Sequence, residues 1–227
     1  MAAQFTHLDF VSPYPVLMEG VGHIRSPKLH EIVLLGGESR YNSMLSVLLM
    51  TKVQLLEQLA ESSDIPEDVL QEFDKLSLFE LLVGIEVTRH VLMDAFSFFL
   101  TESVAFLEDE VAFVTYDDDQ QRSPLQRVVY GRIDAENYHQ VREVILRRNY
   151  MTPPSNAEGK RRSKRMIEYD KKIEAGRKKS ARYKAEQKAM QLGNLVSKVS
   201  KYSTLNILNV FDLTVYQLYD QFFEINT

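Results

Sequence analysis

The stretch "LSLFELLVGIEVTRHVLMDAFSFFL", Leu76 to Leu100, is the most apolar window of this 227-residue chain, and its reading decides the kind of fold the rest must serve. It is long enough to span a bilayer, but Glu80, Glu86, Arg89, His90 and Asp94 interrupt it. A charge near the centre of a span costs about 2.5–3.5 kcal/mol, so the window reads as buried helix in a water-soluble protein and no membrane partner is expected.

Working outward from it toward the N-terminus, "SSDIPED" is a loop, with Asp64 a cap candidate and Pro66 suited to a first helical turn. Two helices are expected between Asp64 and Ala105, divided near "DKLSL". Before the loop, "ESRYNSMLSVLLMTKVQLLEQLAES" places Tyr41, Met44, Leu45, Leu48, Leu49, Leu55, Leu56 and Leu59 at helical spacing with one or two breaks. Ahead of that, "KLHEIVLLG" is a helix opened by Pro27 and closed by Gly36 and Gly37, and "YPVLMEG" with "VGHIRSP" reads as a hairpin turned at Gly20 and Gly22.

On the C-terminal side the period changes to two. "EVAFVTYDDDQQRSPLQRVVYGRI" alternates and returns, which predicts a second hairpin with a polar, acidic loop. Asp134 is then the expected cap of an amphipathic helix through "AENYHQVREVILRRN", which stops at Asn149 before Pro153 and Pro154. The expected class is α+β and predominantly helical: a helix-rich N-terminal domain over residues 1–150 with two small β-hairpins, a charged connector over 151–190 and a small C-terminal helical module over 191–227. In that module Leu192, Leu195, Val196, Val199 and Tyr202 form one helical stripe, and Leu213, Tyr216, Leu218, Tyr219, Phe222 and Phe223 a second, with Asp212 its cap candidate.

The connector holds the sharpest compositional feature. From Lys160 to Lys188 there are thirteen Lys or Arg and four Asp or Glu, a local charge of +9 in a chain of −5, so the remainder carries −14. Three readings follow: a solvated connector, a nonspecific nucleic-acid contact with Tyr169 and Tyr183 as stacking rings, or a clamp on an acidic protein surface. Arg161, Arg162, Lys164, Arg165, Lys178 and Lys179 are the candidate contacts under the last two. The connector reading ranks first, because Glu168, Asp170, Glu174 and Glu186 can pair locally on a solvated helix.

Local templates for chemistry are missing. There is no cysteine, no GxSxG, no phosphate-binding glycine loop, and the histidines at 7, 23, 30, 90 and 139 form no metal-ligand pair. Asp117, Asp118 and Asp119 lack the spacing of a calcium loop and read as a hairpin tip. Glu86, His90 and Asp94 recur every four residues and read as a polar strip with internal ion pairs. No catalytic, cofactor-binding or metal-binding residue is expected, and a non-enzymatic protein is. The opening "MAAQFTHLDFVSPYPVLMEG" has no basic-then-apolar leader, which predicts a cytoplasmic protein. A module of about 35 residues cannot bury both faces alone. Tyr216, Tyr219, Phe222 and Phe223 are therefore the candidate docking residues, on the main domain or on another chain.

The order of pieces adds a resemblance. "EGVGHIRSPKLHEIVLLGGESRYNSML" resembles the N-terminal signature of tail-region morphogenesis proteins of phages infecting Gram-positive bacteria: a short hairpin, a proline, then a helix entering at Ile32. "GRIDAENYHQVREVILRRNYM" resembles the block in that group where a short strand enters a helix ending in a Gln/Arg-Asn pair, and the charged connector and "LGNLVSKVSKYSTLNILNVFDLTVYQLYDQFFEIN" follow in order. The resemblance implies a chaperone for a tape-measure protein, or a tail or tail-tip component, in the host cytoplasm or the virion. Its partners would be other tail proteins or further copies of the chain. It supplies no catalytic residues, and members usually continue for another helix or two past the position of Thr227.

Overall fold

The computed structural model describes residues 5–62, 67–117, 128–154 and 190–225. The basic run, the cap candidate Asp64 and Pro66, and Asp118 and Asp119 lie outside the described residues. The chain is a helix-rich α+β protein. Its elements are α1 (His7–Val11), β1 (Val16–Met18), β2 (Gly22–Ile24), α2 (Leu29–Leu35), α3 (Glu38–Leu49), α4 (Lys52–Ser62), α5 (Glu67–Phe73), α6 (Leu78–Gly84) and α7 (Glu86–Phe99). There follow β3 (Ser103–Leu107), β4 (Ala112–Tyr116), β5 (Val129–Ile133), α8 (Tyr138–Arg148), α9 (Leu192–Tyr202), α10 (Ile207–Val210) and α11 (Val215–Ile225).

The apolar window does become core. α7 buries Leu92, Ala95, Phe96, Phe98 and Phe99 and turns Glu86, His90 and Asp94 to solvent. The window is two helices rather than one, however. Ser77 and Glu80 form a reciprocal cap at the start of α6, with Glu80 N–H donating to Ser77 Oγ at 3.1 Å and Ser77 N–H to Glu80 Oε2 at 2.6 Å. A second break falls at Ile85, whose backbone is extended and whose carbonyl, like that of Leu82, accepts the Thr88 hydroxyl. A Thr side chain bonding nearby carbonyls after a glycine competes with helical pairing. Three helices, α5 to α7, therefore occupy the span read as two.

Other differences have equally local causes. Ser103–Leu107 is a strand and not the end of a helix: its residues pair antiparallel with β4, Val104 opposite Thr115 and Phe106 opposite Phe113. With β5 this makes a three-stranded sheet where a hairpin was expected. The helix expected from Asp134 starts at Tyr138, because Asp134 folds a turn first, its carboxylate accepting the Glu136 amide at 2.9 Å while its own amide donates to Asn137 Oδ1 at 3.0 Å. Asp212 does not cap α11. Thr214 does, in a box with Gln217 at 3.0 and 3.2 Å. Helix α1 was not foreseen.

The two sheets meet where there is no side chain to keep them apart. The β1–β2 turn packs on β5 so closely that a β-carbon at Gly131 would run into the Gly20 carbonyl and the Val21 nitrogen. Arg132 N–H donates to Gly20 O at 2.9 Å across this contact, and the Thr115 hydroxyl donates to Val21 O. The C-terminal helices join the same apolar cluster, which runs from Met18 through Phe99 and Ile145 to Leu195, Leu218 and Phe222. Their backbone is tied to the N-terminal region as well: Leu29 N–H donates to Leu213 O at 3.0 Å and His30 N–H to Phe211 O at 3.1 Å.

Candidate functional site

Helix α8 ends in "RRNYM", and each of these residues does something different. Tyr150 N–H donates to Arg147 O at 3.1 Å and Met151 N–H to Leu146 O at 2.9 Å, the paired bonds of a Schellman stop. That stop needs a left-handed residue, normally glycine. Tyr150 takes it instead, with φ at 58°. The turn swings its ring onto α11, where it lies nearly parallel to Tyr219 (5.2 Å between centroids, 10°) and Phe223 (5.6 Å, 19°) and edge-on to Tyr216 at 5.0 Å.

The seam continues. Tyr216 stacks on Phe10 of α1 at 6.4 Å, the Arg147 guanidinium sits 6.0 Å over Phe10, and Gln217 Nε2 donates to Val11 O at 3.0 Å. Two more residues of the stop hold it in place. Asn149 is buried, takes the Tyr41 hydroxyl on Oδ1 at 2.7 Å and donates to Ile145 O at 2.7 Å. Arg148 is fully buried and donates to the carbonyls of Asp9, Ser12 and Tyr14. Burial lowers its pKa to about 10, against the small opposing pull of Asp9.

The four aromatic residues singled out from the sequence thus gather in one place. Phe222 is 8% exposed, Tyr216 and Tyr219 are half-buried, and Phe223 keeps 43% of its surface in solvent. Their companions Tyr150 and Phe10 were missed. The signal for Tyr150 was its place one residue past a helix-stopping Asn, where a bulky residue must have somewhere to go.

Other candidates scatter. Glu86 and His90 approach to 3.7 Å on the solvent face of α7, Arg89 reaches Glu108 at 4.0 Å, and Asp94 pairs off the helix with Arg40 at 2.9 Å. Asp117 lies at the end of β4, where its Oδ1 accepts the Val128 amide at 3.1 Å. Arg161, Arg162, Lys164, Arg165, Lys178 and Lys179 lie outside the described residues. Among the described residues no group of three or more His, Asp or Glu is placed to hold a metal ion, and no helix is long and apolar enough to cross a membrane.

A pairing of the buried Glu102 carboxylate with the half-exposed His23 ring was also missed. Glu102, at the bend between α7 and β3, accepts the His23 amide on both oxygens (3.0 and 2.9 Å) and the His23 ring on Oε1 at 2.6 Å. Burial pushes its pKa up, but these hydrogen bonds outweigh that and hold it below the ordinary carboxylate value. Gly22 holds a φ of 127°, which side-chain-bearing residues rarely adopt, and a β-carbon there would also stand 2.8 Å from the same carboxylate, so the hairpin needs a glycine.

One more surface has an unusual composition. On α2, Val33 and Leu34 are 60% and 83% exposed, and on α10, Ile207 and Leu208 are 51% and 77% exposed. The two helices are joined through His30, whose amide and ring both meet the Phe211 carbonyl at 3.1 Å.

Against known proteins, no curated protein and no solved structure matches the chain. A family model does match part of it: residues 183–227, which include α9 to α11, are similar to the family described as YomV second domain. The family's name is phage-derived, so the match is consistent with a phage protein, without reaching as far as the tail.

Proposed function

We propose that the chain is a non-enzymatic bacteriophage assembly protein that works in tail morphogenesis, as a tape-measure chaperone or a tail or tail-tip component, through helical protein–protein surfaces. The observation that carries this reading is the exposure of Val33 and Leu34 on α2 and of Ile207 and Leu208 on α10, two helices joined through His30, of which α10 belongs to the segment similar to YomV second domain. Large apolar side chains left exposed in adjacent pairs mark candidate docking positions. Phe223, at the outer edge of the aromatic seam, extends the apolar surface the C-terminal segment offers. The partners are other tail proteins or further copies of the chain, and the site of action is the host cytoplasm or the virion.

The test is Leu34→Asp combined with Leu208→Asp, both at exposed positions where a substitution changes stability by roughly 0.5 kcal/mol or less. The chain is co-expressed with the tape-measure and tail-tube proteins of a phage that encodes it, and the soluble complex is captured on a tag. The proposal expects the wild type to retain a tail protein and the double variant, with unchanged circular dichroism, to lose it. Capture of neither tail protein by the wild type overturns the tail assignment, and capture undiminished in the variant overturns these residues as the docking face.

A further inference from the structure

A cavity of about 600 Å³ opens between the start of α3, the chain just after α8 and the starts of α9 and α11. Its chemistry is one-sided. Glu38 is the charged residue in its wall, Ser39 and Asn42 add short polar groups from the next turn of α3, and Met151, Met190 and Leu192 supply apolar surface. No lysine or arginine lines it among the described residues.

The Glu38 carboxylate is held in place. Its Oε1 accepts the amide of Leu192, the first residue of α9, at 3.2 Å, so the carboxylate cannot swing out of the wall without leaving that amide unpaired. The phenols beside it are used elsewhere: Tyr41 donates to Asn149, and Tyr219 to the Met190 carbonyl at 3.5 Å. Both titrate high, through burial first; the negative charge of Glu38 adds to it for Tyr219, and for Tyr41 after the neighbouring Tyr219. What the cavity presents to a visitor is therefore a single negative charge beside the neutral polar groups of Ser39, Asn42 and Gln191, over a methionine-lined floor that adapts to unbranched chains.

We propose that this cavity binds the cationic side chain of a polypeptide, a lysine or arginine whose head pairs with Glu38 and whose methylene stem lies along Met151 and Met190. A long amphipathic side chain matches both halves of the wall, burying its stem while its head is paired. The inference goes beyond the assembly reading and stands whether or not the chain serves a tail.

The test uses the full-length chain, isotope-labelled, with the peptides acetyl-Gly-Lys-Gly-amide, acetyl-Gly-Arg-Gly-amide and acetyl-Gly-norleucine-Gly-amide, and agmatine as a free cation. The Leu192 amide resonance reports on the site directly, because it is bonded to Glu38. Saturable shifts at Leu192 and Asn42 are expected with the Lys or Arg peptide and not with norleucine. Affinity should fall several-fold between about 0.05 and 0.5 M salt and roughly tenfold or more in Glu38→Gln, which keeps an acceptor for Leu192. Asn42→Leu, at an exposed helix position outside that contact, should weaken binding by a smaller factor. A Leu192 resonance that no cation moves, an equal response to norleucine, or unchanged binding in Glu38→Gln overturns the site. Agmatine binding more tightly than both cationic peptides overturns the polypeptide as its ligand.

Discussion

Tyr150 to Ala asks whether the C-terminal helices are held to the rest of the chain by the aromatic seam. The ring is 38% exposed, so about 60% of its surface is removed from water. An aromatic side chain buries 150–250 Å² when fully covered, which puts the covered part near 120 Å² and its burial near 3 kcal/mol at about 25 cal/mol per Å². The parallel contacts with Tyr219 and Phe223 add roughly 1 kcal/mol between them. Both figures are upper values, since the unfolded chain already hides some apolar surface, and a loss of about 3 kcal/mol is expected. The left-handed φ of 58° costs tyrosine and alanine alike and cancels. Tyr150→Gly relieves that strain, by roughly 1 kcal/mol, and should be less damaging than its lost contacts alone imply. Urea unfolding followed by circular dichroism reads the difference: at a slope near 2–3 kcal/mol per M, the Ala variant's midpoint should fall by roughly 1 M. A midpoint within about 0.2 M of wild type would refute the seam as a joint.

Gly131→Ala should part the β1–β2 turn from β5, because the added methyl meets backbone and not a side chain that could rotate away; exchange of the Arg132 amide should accelerate by at least tenfold, and unchanged protection would show the contact is looser than described. Arg148→Met leaves the carbonyls of Asp9, Ser12 and Tyr14 without their donor and should cost about 3 kcal/mol, with Arg148→Lys intermediate and early proteolysis between residues 5 and 14; a Met variant as stable and resistant as wild type would contradict it. Glu102 has a folded pKa below its unfolded value near 4.5, so it stabilises the fold above that pH and the contribution drains away as pH falls through the lower folded value. Glu102→Gln should therefore flatten the acid limb of stability below about pH 4.5, and an acid limb as steep as wild type would mean other carboxylates set it.

What the sequence made legible was whatever repeats with a short period. The Leu76–Leu100 window, the apolar positions of α3 and the paired stripes of α9 and α11 were readable because burial imposes helical spacing on consecutive turns. β3 was hidden, since five residues after a long apolar helix extend its pattern until β4 is known to lie alongside. The cap at Thr214 lost to Asp212 because both are good caps, and only the partner Gln217, three residues on, separates them. The seam shows the limit most clearly. Tyr216, Tyr219, Phe222 and Phe223 were visible as a stripe, whereas the ring that fills it comes from 66 residues earlier by way of a backbone turn that tyrosine rarely takes. The His23–Glu102 pair joins residues 79 apart and has no local pattern at all.

The central claim, that the chain acts through apolar helical surfaces between proteins, is tested most directly by its mass in solution. Light scattering at low and high salt, with a labelled nonspecific DNA duplex in a parallel run, is the measurement. The account predicts an oligomer that resists salt, leaves the DNA unbound and falls to monomer when Leu34 and Leu208 are replaced by Asp. A monomer that shifts the DNA at low salt and releases it at high salt would contradict the account and move the function to Lys160 through Lys188.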